Sequence, residues 1–255
     1  MNKMLNRVPE VTGSFWIIKV LATTVGETMA DYLSVNLNLG LSVTSCVMSA
    51  VLLMALLNQF RLKRYVPASY WIVVVLMSIT GTVITDRLVD ELGVSLTTTI
   101  IVFSAILSAV FGLWYAVEKT LAMHSINTAK RELFYWAAIL FTFALGTATG
   151  DFIAEALKLG YAQSALVFAV LIAIVAAGYY YFRMNAVLAF WVTYILTRPL
   201  GASTGDLLSQ PTTNGGLGFG TIGTSMLFLC IIVSLVIYLS LKQKKLAPMP
   251  IDQQN

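Results

Sequence analysis

Charge is what this sequence has least of. Only 11% of its 255 residues are Asp, Glu, Lys or Arg, against 58% hydrophobic, and the mean hydropathy is +0.82. So little polar side chain cannot cover a water-soluble globule, which excludes a cytosolic enzyme or a soluble nucleic-acid-binding domain. Histidine is nearly missing: His124 is the only one, with no second soft ligand nearby, so a zinc or copper centre is not expected. The two cysteines, Cys46 and Cys230, both fall in apolar runs and read as small buried hydrophobes, with a disulfide or metal pair as the alternative. No nucleophile, base and orienting group stand together, so the chain is not expected to be an enzyme, and no resident cofactor is expected. The glycine-rich run at 215–220 lacks both the Lys-Ser/Thr and the preceding strand of a phosphate loop; it reads as a connection between the last two helices. Nor does the start read as a cleaved leader, because Lys19, Glu27 and Asp31 interrupt the first apolar run.

What remains is a polytopic membrane protein. At ~20 apolar residues per span plus a short connection, the length divides into about eight helices with nothing left for a soluble module. Four of the five tryptophans reveal how they are organised. Trp16, Trp71, Trp136 and Trp191 are spaced by 55, 65 and 55 residues, and each follows Phe or Tyr. Ten residues after each comes a glycine (Gly26, Gly81, Gly146, Gly201), and five further an aspartate (Asp31, Asp86, Asp151, Asp206). The expected fold is therefore all-α, a bundle of eight transmembrane helices built from four parallel two-helix repeats. Residues 1–125 form a first half and 126–255 a second, within one membrane domain.

The first helix of each unit is expected at 15–36, 69–91, 134–158 and 188–209, the second at 40–60, 94–117, 161–182 and 217–241. None of the second helices, so bounded, contains a charge. A charge at membrane depth must face protein, water or a partner, whereas an uncharged helix can face lipid on all sides. The odd-numbered helices should therefore be central and the even-numbered ones peripheral. Two crossings per unit return the chain to its starting side, so the four aspartates should share one depth and the tryptophans should anchor at one interface. Twelve of the sixteen basic residues, from Lys3 and Arg7 to Lys244 and Lys245, flank the side that carries both termini. The positive-inside rule makes that side cytoplasmic, and the expected location is the bacterial inner membrane.

The residues that could carry chemistry are acidic. Glu27, Asp31, Asp86, Asp151, Glu155 and Asp206 lie at membrane depth, and the pairs Glu27–Asp31 and Asp151–Glu155 each share one helix face. On the first helix Lys19, Thr23, Glu27 and Asp31 form one polar stripe, while Lys19, three residues past Trp16, has the length to snorkel to the interface. Arg198 has no basic counterpart in the other copies, whose matching residues are Thr23, Ser78 and Phe143. It can serve as counter-ion to the acidic cluster or hold an anionic substrate. The glycines allow close helix approach or, together with Pro199 and Gly205 in the fourth copy, a broken helix that exposes backbone groups.

The stretches around Lys19–Asp31, Thr142–Asp151 and Arg198–Asp206, with the linker from Glu118 through His124 to Trp136, resemble the bacterial integral membrane proteins that carry four tandem two-span repeats of unknown function, with one Trp per copy. The resemblance spans nearly the whole chain and implies membrane location and repeat architecture, but no substrate. The second copy departs most, with Thr82 where the first has Glu27 and no Gly-Asp dipeptide.

Six carboxyls packed with two basic residues cannot all stay charged in a low-dielectric centre, so shared protons or a bound cation must close the balance. Carboxylates, hydroxyls and backbone carbonyls favour a hard cation. The expected function is transport of Mn2+ or Mg2+, exchanged for protons and directed outward. The cation or metal site would comprise Glu27, Asp31, Asp151 and Asp206, with Asp86, Glu155, Thr23 and Arg198 in support. Two alternatives stand beside it: a proton-coupled carrier of a small organic solute held by Arg198, and a structural or sensory protein whose carboxyls hold helices together. The expected partners are the lipid bilayer and the transported cation or solute, with no nucleic acid; self-association is left open.

Overall fold

The computed structural model describes residues 6–246. Among them are eight α-helices: α1 (Gly13–Asp31), α2 (Gly40–Arg61), α3 (Pro67–Asp86), α4 (Leu96–Glu118), α5 (Ala129–Asp151), α6 (Tyr161–Tyr181), α7 (Ala186–Ser209) and α8 (Gly220–Leu246). Their starts follow local chemistry. Thr12, Ser95, Thr128 and Asn185 cap α1, α4, α5 and α7 by accepting from first-turn amides, and Pro67 opens α3, where its missing N–H costs nothing.

Seven of these eight are long and apolar enough to cross a membrane. The exception is α1, which carries Lys19, Glu27 and Asp31 and is shielded by its neighbours. The odd helices form a closed inner ring in which α1 packs on α3, α3 on α5, α5 on α7 and α7 on α1. Each outer helix packs chiefly on the inner helix of the following unit: α2 on α3, α4 on α5, α6 on α7, with α8 closing the circle on α1. The outer helices are 17–22% buried over their apolar spans, against 50–56% for α3, α5 and α7. Uncharged helices thus cover the charged ones, as expected for a lipid-facing rim.

The inner ring is held close by its glycines. A Cβ on Gly26 would overlap Ser78, one on Gly81 would press on Phe143, one on Gly146 would overlap Arg198, and one on Gly201 would overlap Thr23. Ser78, Phe143, Arg198 and Thr23 are all the seventh residue after their unit's tryptophan, so one interlock is repeated around a pseudo-fourfold axis. The glycines therefore serve close approach. α7 runs without interruption through Pro199, so of the two alternatives for the fourth copy the broken helix does not occur.

Irregularity appears instead in the other three copies, directly after the aspartate. Residues Tyr32–Asn36, Arg87–Glu91 and Phe152–Ala156 form wide π turns, closed by Leu37, Leu92 and Leu157 donating to carbonyls five residues back at 2.9–3.0 Å. The chain then reverses through a left-handed residue at equivalent places, Asn38, Gly93 and Lys158. In the fourth copy α7 stays α-helical to Ser209, and the 215–219 segment folds back on its end through Leu217, Gly218 and Phe219 amides.

The tryptophans correct an expectation. Trp71, Trp136 and Trp191 are at most 4% exposed and pack among Phe15, Tyr70, Tyr135 and Tyr194 inside the ring; only Trp16 is partly exposed. They are not interfacial anchors, because neighbouring helices enclose them, Trp191 lying also against Phe111 and Trp114 of the outer helix α4. The cysteines are corrected in the opposite sense: Cys46 and Cys230 are exposed on the outer helices, not buried.

Candidate functional site: an acidic cavity on the bundle axis

Three tiers of the repeat build the site. Eleven residues after each tryptophan stand Glu27, Thr82, Thr147 and Ala202; fifteen after, the four aspartates; nineteen after, Val35, Asp90, Glu155 and Gln210. The four-residue steps keep the tiers on one face of each inner helix, and the closed ring turns those faces toward the axis. All of the upper two tiers, with Glu27 at the floor, line a single cavity of about 230 Å3. Seven of its lining residues are acidic (Glu27, Asp31, Asp86, Asp90, Asp151, Glu155, Asp206) and none is basic. Asp90 and Glu155 are exposed at the rim, Asp31, Asp86 and Asp151 half-buried, and Asp206 is 8% exposed.

The partners differ from tier to tier. At the rim Tyr161 donates its hydroxyl to Glu155 at 3.2 Å, and in the middle Gln210 donates to Asp31 at 3.1 Å. Among the described residues no side-chain hydrogen bond or ion pair reaches the carboxyls of Asp86, Asp151 or Asp206. At the floor the Arg198 guanidinium, fully buried, donates to Glu27 Oε2 and Thr147 Oγ1, each at 2.7 Å, and to Thr82 Oγ1. One side chain from α7 thus reaches the eleventh-position residue of every other copy.

Below Arg198 the axis is filled. Lys19 is fully buried rather than snorkelling, its ammonium 4.3 Å from the ring centres of Phe143 and Tyr194 and donating to Thr197 at 3.3 Å. Beneath it the Tyr70 and Tyr135 hydroxyls meet at 2.5 Å within the aromatic layer. At the end opposite the cavity, Arg7 donates to the buried carboxylate of Glu132 at 2.7 Å, with Gln59 and Trp136 completing its shell. The Asn6 carbonyl accepts from Tyr65, and Val8 is buried in the core. The cavity therefore opens at one end only.

Of the residues expected from sequence, Glu27, Asp31, Asp86, Asp151, Glu155 and Asp206 share the cavity. Thr23 does not: its hydroxyl faces the Val20 and Thr197 carbonyls at 2.6 and 3.2 Å, away from the cavity. Arg198 lies beneath the cavity, and Glu27 is its ion-pair partner rather than an unpaired ligand. Among the described residues no group of three or more His, Cys, Asp or Glu is disposed to hold a metal ion directly. Sequence reading left out of the site Asp90 and Gln210, which occupy the same repeat position as Glu155 and would have emerged by extending the tally four residues past the aspartates.

Fold and cavity define a multi-pass membrane protein whose inner helices carry an acidic chamber. Four tandem matches to the model of a Repeat of Unknown Function (DUF347), at residues 14–65, 69–120, 134–185 and 189–245, show that the chain belongs to this repeat family. No curated protein and no solved structure matches it.

Proposed function

We propose that this chain is a membrane transporter of a hard cation, with Mn2+ or Mg2+ as cargo and protons in exchange. One observation carries the reading: seven carboxyls line a cavity with one open end, and among the described residues only Glu27 of these has a cationic partner. At an effective dielectric of ~20, two like charges ~6 Å apart repel by about 3 kcal/mol, so a ring of carboxylates needs mobile positive charge to sit together. Asp206 is nine-tenths buried and, among the described residues, makes no side-chain hydrogen bond or ion pair that would give it a structural role. Hydrogen-bonding glue is supplied more cheaply by Ser or Thr, as Ser164 to Ser203 and Thr28 to Ser225 do between other helices at 2.8 and 2.6 Å.

The cavity suits a cation that keeps its water. Six waters occupy roughly 180 Å3 at ~30 Å3 each, within the 230 Å3 available. Spaced carboxylates would then bind the ligated waters, the habit of Mg2+, which dehydrates reluctantly. Arg198 is committed to Glu27, Thr82 and Thr147, which speaks against its holding the carboxylate of an organic solute. The clustering of basic residues near the termini supports a cytoplasmic placement of that end in a bacterial inner membrane. The cavity then opens outward, in keeping with export. One chain completes the cavity, so self-association is not required. No resident cofactor and no catalytic step enter this reading.

The test is flux in reconstituted liposomes across a panel of Mn2+, Mg2+, Ca2+, Na+ and protons. Wild type should move Mn2+ or Mg2+, and Asp31→Asn or Asp206→Asn should abolish it with folding retained, since the amide keeps shape and removes charge. Normal transport by both variants would refute the reading.

A further inference from the structure

We propose that Arg198 is the gate that closes the bundle axis, and that its ion pair with Glu27 is the bond a cargo cation must loosen. The cargo half of this inference rests on the transport reading above; the closure half stands on geometry alone. Arg198 is fully buried at the level of the glycine interlock, and Gly146 makes room for it: a Cβ there would overlap its Cβ and Cγ. Its guanidinium ties α7 to α1 through Glu27, to α3 through Thr82 and to α5 through Thr147. Removing it would leave the three helices facing one another across a gap lined by a carboxylate and two hydroxyls, which water would enter.

Glu27 is the one residue that both lines the cavity and binds Arg198. A divalent cation arriving at the aspartate tier attracts Glu27 and repels the guanidinium, so it weakens the single ionic bond of the closure, while the bonds to Thr82, Thr147 and the Thr23 carbonyl are neutral and readily replaced by water. Beside Arg198 the helix lacks one backbone hydrogen bond. Pro199, inside α7, has no N–H to offer the Ile195 carbonyl, and Gly201 and Gly205 follow within two turns. Arg198 Nε is buried without a partner, so the closed arrangement leaves one donor unsatisfied. Lys19, one turn below, occupies the next level of the axis against the Phe143 and Tyr194 rings.

Val74 reports on the gate. It is fully buried and stands three residues after its tryptophan, as Lys19 does, so it lies beyond Arg198 from the cavity. Val74→Cys would be placed in a Cys46→Ala, Cys230→Ala background, because both native thiols are exposed. The purified protein would be treated with a small quaternary-ammonium thiosulfonate. The expected results are slow labelling without metal, at least threefold faster labelling with saturating Mn2+, and at least tenfold faster labelling in Arg198→Gln whether or not Mn2+ is present. Glu27→Gln, which keeps Arg198 and both threonine bonds, should label at an intermediate rate and lose the response to Mn2+; it also serves if Arg198→Gln does not fold. A merely structural arginine would alter the yield of folded protein but not these rates. Equal protection of Val74→Cys in wild type, Arg198→Gln and Glu27→Gln overturns the gate. If Arg198→Gln exposes Val74→Cys while Mn2+ neither alters wild-type labelling nor is transported, the closure stands and the cation reading falls.

Discussion

Replacing Gly26 with alanine tests the interlock that brings the inner helices together. The added methyl would overlap the Ser78 Cβ and Oγ, and it would also crowd the Ser78 carbonyl carbon at 3.0 Å, so rotating the serine alone cannot make room. Forcing a methyl into such a contact costs typically about 1–3 kcal/mol. Ser78→Gly removes the two closest of the colliding atoms and leaves only the carbonyl-carbon contact at 3.0 Å. By itself it costs about 0.5–1 kcal/mol, the usual penalty of a helical glycine, but in the Gly26→Ala background it should recover most of the loss. The double-mutant cycle should therefore return a coupling on the order of 1–2 kcal/mol between residues 52 positions apart. Gly112→Ala is the control, since nothing lies within 4 Å of its new methyl, and it should be neutral or slightly stabilising. Unfolding followed by tryptophan emission in detergent reads wild type and the four variants. If Gly26→Ala is as stable as wild type, or if Ser78→Gly adds to its loss rather than offsetting it, the α1–α3 approach described above is wrong.

Two further outcomes follow. Arg7→Ala should lower stability by about 1–3 kcal/mol, below the full cost of breaking a buried pair because Arg7 is 13% exposed; Glu132→Gln in the same background should restore much of it by removing the stranded charge, as read by the same unfolding assay. Cysteines at Asn38 and His124 should label from opposite sides of sealed vesicles, with His124 on the side of the termini; labelling from one side would break the two-crossing repeat.

The pattern of aromatic-Trp, glycine and aspartate made the four units legible, and the absence of charge from the second helices told which helices face lipid. Neither could say which outer helix covers which inner one, because α2 on α3 and α2 on α1 bury equally apolar faces. Trp71 and Lys19 were misplaced for a related reason. Their depth suggested an interface, but depth does not distinguish the lipid side of a helix from the side its neighbours enclose. The π turns after Asp31, Asp86 and Asp151 have no composition of their own; the fourth copy, with an aspartate at the same place, lacks one. Asp90 lies at the rim, where the cavity begins, and only Glu155 is acidic at the matching position of another copy. Pairing of Glu27 with Arg198 could be anticipated only as a type of contact, since residues 171 apart in sequence meet through ring closure of α1 on α7.

Equilibrium binding of Mn2+ to the purified protein, followed by the electron paramagnetic resonance of the ion, tests the central claim most directly. The account predicts saturable binding that retains the signature of a largely hydrated ion, competed by Mg2+ and lost in Asp151→Asn/Asp206→Asn. Absence of binding by folded wild-type protein, or undiminished binding by the double variant, would contradict it.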